Sequence, residues 1–130
     1  MLHARKLFVA LCVLSAPLVL YAAESCAIQS SRLLSEGKSE QLSAMFEANP
    51  VSATELKRLS AQVGTLSALE QVTGPRFALH KRLSVGKMAG EYVGAWVNAN
   101  SEFLGPIQLH VAQSSARECV LLALSVDFAQ

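Results

Sequence analysis

The chain has 130 residues, with 11 basic and 10 acidic side chains and a formal net charge of +1. This length is enough for one domain with a hydrophobic core and too short for two. The apolar content of 52% is typical of a globular rather than a disordered chain. A near-balanced charge argues against nucleic-acid binding, which needs a clustered basic face.

The amino end has the layout of a secretory signal peptide. Residues 1–6 form a short cationic segment, and residues 7–20 form an almost unbroken apolar run. Residues 21–23 end this run with two small alanines after Tyr21. The run is shorter than the roughly 20 residues of a membrane-spanning helix, so an uncleaved membrane anchor is only the alternative. We expect no stable membrane insertion after cleavage. The sequence therefore predicts a signal peptide over 1–23, a single domain over 24–130, and a periplasmic or secreted protein.

Three cysteines are present, and the predicted cleavage removes Cys12. Cys26 and Cys119 then remain in an oxidising compartment, where two thiols usually pair. A bridge between them is the predicted structural disulfide, and two buried free thiols are the alternative. A second small-residue cleavage site at 25–27 also stays open, and it would remove half of the pair. No C-x-x-C motif is present, which argues against a redox-active role.

The first half of the domain predicts helices. Residues 26–46 carry two apolar stripes that Gly37 separates, so a short helix ends there and another begins. Asn49 and Pro50 are a stop signal. Ser52 and Glu55 then have the spacing of a capping box, which opens a helix that ends around residues 64–66.

The second half predicts four or five antiparallel strands, over 69–72, 77–85, 91–99, 106–112 and 119–128. Residues 98–105 are expected to form a turn. Two or three helices followed by such strands indicate an α+β fold, with the helices packed on one face of a curved sheet.

The last predicted strand is apolar on both sides. Simple alternation places Leu121 and Ala123 on one side, and the residues on the other side are Val120, Leu122, Leu124 and Val126. A strand with one face in water would alternate more cleanly. We therefore expect another part of the chain or a partner to cover the outer face, and a homodimer through the sheet stays open.

This order of elements resembles the nuclear transport factor 2-like superfamily, and most closely its small exported bacterial members. Residues 33–46 resemble the family's opening helix, residues 90–96 its central strand and residues 119–128 its closing strand. The resemblance implies a cone of helices wrapped by a bent sheet. Enzymatic members hold acid–base residues inside the cone, but none of their catalytic motifs aligns here, and Asp127 is the only aspartate.

Tyr92, Trp96 and Asn98 share one side of the strand predicted over 91–99. Aromatic side chains with a few polar groups are typical of a ligand pocket, so these three residues are candidate pocket residues. Core packing is the alternative interpretation, because aromatic strand residues usually fill a core.

His80 and His110 are the histidines outside the predicted signal peptide. A histidine can act as a general base or a metal ligand, but no H-x-H or H-E-x-x-H motif is present. We therefore predict no metal and no cofactor. His110 remains a candidate pocket residue, with a hydrogen-bonded strand histidine as the alternative.

Arg76, Lys81 and Arg82 form the one basic cluster. Arg82 is a candidate polar contact for a ligand or for the acidic face of a partner. The alternative is an edge strand whose charges discourage aggregation.

Together these features predict an exported binding or protein-interaction module without catalytic residues. It would bind a small apolar ligand or a protein partner through the cone pocket or the exposed sheet face. Two alternatives remain: a small hydrolase or isomerase with His110 or Asp127 as base, and an inhibitor or immunity-type protein that blocks its partner with a loop over 98–106.

Overall fold

The computed structural model describes residues 24–47, 50–75 and 81–129. Three helices come first and a five-stranded antiparallel sheet follows, which confirms the α+β class. The helices are α1 Cys26–Ser35, α2 Ser39–Ala44 and α3 Ala53–Val63. The strands are β1 Leu66–Val72, β2 Lys81–Gly86, β3 Val93–Ser101, β4 Gly105–Gln113 and β5 Leu121–Phe128. The predicted signal peptide, the Asn49 stop signal, and Arg76 and His80 lie outside the described residues.

The boundary between α1 and α2 is at Gly37, as predicted. Gly37 has a φ of +70°, a conformation that glycine adopts without the penalty of a side chain. The amide of Lys38 donates back to the carbonyl of Leu33 at 3.0 Å, which closes the end of α1. A glycine with positive φ, followed by an amide that donates back into the last turn, is a common way for a helix to end.

The predicted capping box opens α3. The Ser52 hydroxyl accepts from the Glu55 amide at 3.1 Å, and so satisfies one of the amides that a helix start leaves without a partner. Gly64, with a φ of 70°, follows the last helical residue. The helix is therefore fixed at both ends by the residues that the sequence indicated.

The sheet has the strand order β1-β3-β4-β5-β2, so that β3, β4 and β5 form its centre. The turn lies within the predicted range of 98–105 but is shorter, because β3 continues to Ser101 and β4 already starts at Gly105. The Ser101 hydroxyl donates to the carbonyl of Val63 at 2.6 Å and accepts from the amide of Leu104 at 3.0 Å. These bonds fasten the end of β3 to the end of α3 and shorten the turn.

One face of the sheet packs against the helices and forms the core. Alternate residues of β3, β4 and β5 point into this layer. The side chains with at most 1% exposure in this core cluster are Ala27, Leu34, Leu42, Phe46, Leu56, Val63, Val97, Ile107, Leu109, Val111, Leu121, Leu124 and Val126. The layer between helices and sheet is thus filled with apolar side chains.

A β-bulge interrupts the alternation at the start of β5. Gln113 pairs with Leu121, but Ala112 pairs with Ala123, so Leu122 is an extra residue. Leu121 consequently joins the core with Leu124, and the prediction that grouped it with Ala123 was wrong. The remaining pair, Leu122 and Ala123, forms a small separate cluster with Ala112.

A disulfide joins Cys26 in the first turn of α1 to Cys119, two residues before β5. Their Cα atoms are 5.4 Å apart across a separation of 93 residues, and the predicted pairing is confirmed. The amide of Leu121 also donates to the carbonyl of Met45 at 2.7 Å. The start of β5 is therefore tied to the beginning of α1 and to the end of α2.

Within the described ranges, no helix combines the length and the apolar character needed to cross a membrane. The disulfide is compatible with an oxidising, extracytoplasmic location.

Candidate binding site on the outer face of the sheet

The five predicted pocket residues lie on one surface, which we call the outer face: the side of the sheet turned away from the helices. Trp96 and Asn98 alternate along β3 with core residues, and His110 does so along β4. Arg82 reaches the same face from β2, through its pairing with Asp127. The face is built from two cross-strand rows, one aromatic and one polar.

The aromatic row centres on His110. Its imidazole is stacked against the Trp96 ring, with centroids 4.6 Å apart and planes at 30°. Tyr92, just before β3, meets the same imidazole edge-on at 6.3 Å and 74°. Such arrangements of rings contribute beyond their buried area. The spacing of Tyr92 and Trp96 predicted that they share a face, and the structure adds that His110 lies between them.

Gly94 makes room for this imidazole. A Cβ atom placed on Gly94 would lie 2.5 Å from Nε2 of His110, a distance that real Cβ atoms essentially never show. The missing side chain between Tyr92 and Trp96 therefore leaves a slot that His110 fills. Gly94 was not among the predicted site residues, although a glycine between two aromatic residues on one face of a strand is visible in the sequence.

Burial lowers the pKa of His110 below its ordinary value of 6.5. The Asp127 carboxylate opposes this effect, and the Arg82 guanidinium adds to it. The imidazole is therefore neutral at pH 7, and it serves the face as an aromatic ring rather than as a cation.

The polar row lies one step along the strands. Gln108 on β4 pairs with Asn98 on β3 and with Asp127 on β5. Nε2 of Gln108 donates to Oδ1 of Asn98 at 2.6 Å. Gln108 is only 1% exposed, yet its Oε1 atom has no hydrogen-bond partner among the described residues. Native structures rarely leave a buried acceptor unpaired, since this costs about 1–3 kcal/mol.

Arg82 and Asp127 form a bidentate ion pair at one end of the polar row. Nε of Arg82 donates to Oδ1 of Asp127 at 2.7 Å, and Nη2 donates to Oδ2 at 3.1 Å. The Arg82 side chain is 62% exposed and that of Asp127 only 10%. The arginine thus neutralises a carboxylate that would otherwise be buried without a partner.

The described residues do not assemble a catalytic group around His110. Ser125 stands opposite it in the register, but no hydrogen bond joins His110 to Ser125 or to Asp127 among the described contacts. Both oxygens of Asp127 already accept from Arg82. In the same part of the chain, no cluster of three or more His, Cys, Asp or Glu residues could hold a metal ion.

An open cleft of about 610 Å³ adjoins the aromatic row at Tyr92, between residues 90–93 and residues 114–116. It extends the outer face beyond the residue at which β3 starts. At the opposite end of β3, the predicted blocking loop has become a tight turn that carries Phe103, 63% exposed. That turn offers one apolar side chain rather than a long insertion loop.

No family model, no curated protein and no solved structure matches this chain. Function is therefore argued from the geometry of the outer face.

Proposed function

We propose that this chain is exported and acts as a binding module without catalytic activity, with the outer face as its binding surface. The observation that carries the proposal is the buried, unpartnered Oε1 of Gln108 beside the aromatic row. Evolved interiors avoid such atoms unless they have a use, so the acceptor indicates a group that arrives from outside. The α+β layout also agrees with the one implied by the nuclear transport factor 2-like resemblance, which we retain as part of the proposal.

The outer face fits binding better than catalysis for a chemical reason. Aromatic rings supply apolar contact area, and a few polar atoms beside them fix orientation, which is the usual composition of a ligand site. A general base needs a titratable group free to accept a proton. Asp127 is held by Arg82, and His110 is enclosed by Tyr92, Gly94 and Trp96.

The test starts from full-length chain that has been expressed for export into an oxidising compartment. Intact mass after purification reports whether residues 1–23 have been removed. Native mass spectrometry then detects any small molecule that the protein retains. We expect retention to be lost in Trp96→Leu and kept in Phe103→Leu, because Phe103 lies on the turn away from the aromatic row.

Trp96 also supplies an optical signal, since it is the only tryptophan of the chain. Its emission should shift when a bound molecule is stripped from the protein and restored. The proposal is overturned if no molecule is retained and the emission is the same before and after stripping. It is also overturned if the purified protein is a dimer whose contact covers Trp96, because the face is then a subunit interface.

A further inference from the structure

We infer that the outer face recognises a planar molecule that donates an N–H or O–H hydrogen bond to Oε1 of Gln108 while its ring lies against Trp96. This inference rests on the proposed function and names the chemistry of the ligand.

The unpartnered atom of Gln108 fixes the direction of the hydrogen bond that a ligand would make. Oε1 of Gln108 is an amide oxygen and can only accept. The amide nitrogen of the same side chain is already used by Asn98 at 2.6 Å. A ligand atom that completes the site must therefore be a donor, and a carbonyl, ether or carboxylate group would leave Oε1 unsatisfied.

The charges along the polar row also limit the ligand. The carboxylate next to Gln108 in the register belongs to Asp127, and Arg82 already binds both of its oxygens. An anionic ligand would compete with Asp127 for Arg82. At the other end of the row, exposed Glu70 on β1 pairs with Asn98, so a donor group with a positive charge is compatible with the site.

The shape of the aromatic row favours a flat ligand. The Trp96 and His110 rings are stacked, with an angle of 30° between their planes, so this part of the aromatic row is a stack of flat rings. One face of the Trp96 ring is occupied by His110, and a flat ligand ring is the natural partner for its remaining surface. The polar row lies directly beside this surface, because Trp96 and Asn98 are two residues apart on β3.

Access to Oε1 requires a neighbouring side chain to move, since Gln108 is enclosed.

Benzamide and methyl benzoate are matched probes for the inference. They share a flat ring and a carbonyl group, but only benzamide has N–H donors. We expect benzamide to perturb the Trp96 indole and the Gln108 amide signals in NMR titrations of the full-length chain expressed for export. We also expect it to bind roughly tenfold more tightly than methyl benzoate, the effect of one hydrogen bond.

Two variants assign this preference to the proposed atom. Gln108→Met keeps the length of the side chain and removes the acceptor, so the two probes should bind it within about twofold of each other. Gln71→Leu is the matched control, because Gln71 is an exposed glutamine of β1 outside the polar row. This control should keep the full preference for benzamide.

The following results would overturn the inference, and they also distinguish its failure from a failure of the proposed function. Equal binding of both probes at Trp96 would mean that the face binds rings without reading a donor, and the proposed function would stand. Benzamidine, a cationic donor, should lose its preference over methyl benzoate in Gln108→Met as benzamide does, and an unchanged preference there would overturn the inference. Absence of any change at Trp96 with all three probes would overturn the inference, and a monomer that also retains no natural molecule would overturn the proposed function.

Discussion

Replacing Gly94 with alanine tests whether the slot under His110 holds the aromatic row together. The new Cβ would lie 2.5 Å from Nε2 of His110, whereas ordinary contacts begin at 3.4 Å, so the ring must retreat by about 0.9 Å. The nearest atom is at the far end of a rotatable side chain. The imidazole should therefore move, rather than the backbone of β3, and its stacking on Trp96 should be lost.

The expected cost follows from two opposing effects. Overpacking a tight site typically costs about 1–3 kcal/mol, and a movable ring places this case at the low end. Alanine also restricts the unfolded chain relative to glycine, which returns about 0.4–1 kcal/mol. We therefore expect Gly94→Ala to lower the free energy of unfolding by about 1 kcal/mol or less, with the main effect on His110 itself.

The decisive assay is an NMR titration of the His110 imidazole. Burial lowers its pKa, so a ring that Gly94→Ala pushes into solvent should show a pKa closer to 6.5. Ser84→Ala, on the exposed edge strand β2, should leave this pKa unchanged. An unaltered pKa and unaltered ring-current shifts in Gly94→Ala would refute the role that we assign to Gly94.

Three further predictions concern stability. Cys26→Ser with Cys119→Ser should lower the free energy of unfolding in urea by roughly 4–5 kcal/mol, from the chain entropy of a loop of 93 residues, and a loss below about 1 kcal/mol would contradict this account. Arg82→Met should lower the free energy of unfolding by about 1–2 kcal/mol in the same assay, because it leaves the buried Asp127 carboxylate without its cation. Lys81→Met should be nearly neutral, and equal losses in the two variants would count against the ion pair. The folded chain binds a proton at His110 less readily than the unfolded chain does, so thermal stability should fall as the pH drops through about 6.5. His110→Gln should flatten that part of the pH profile, and parallel profiles would show that His110 does not contribute.

Much of the fold could be predicted because its signals are local. Gly37 and the Ser52 cap mark helix boundaries by their own backbone chemistry, and the structure uses both. The bulge at Leu122 could not be predicted, because it arises from how β5 pairs with β4. The length of β3 was also missed, since the bonds that extend it to Ser101 come from the end of α3.

The candidate site divides in the same way. Strand periodicity predicted that Tyr92, Trp96 and Asn98 share a face, because this depends only on positions within one strand. The partners of these residues depend on register, which the sequence does not display. Gln108 was visible as a polar strand residue, but its burial and its unpartnered oxygen became evident only with Asn98 beside it.

The bridge between Cys26 and Cys119 has a consequence for the order of events during the export that we propose. A chain that crosses a membrane with its amino end first delivers Cys26 early and Cys119 last, 93 residues later. Until then Cys26 can meet no thiol of its own chain except Cys12 in the predicted leader. The native bridge therefore cannot form before Cys119 has crossed, and a molecule that stalls earlier keeps Cys26 without its native partner.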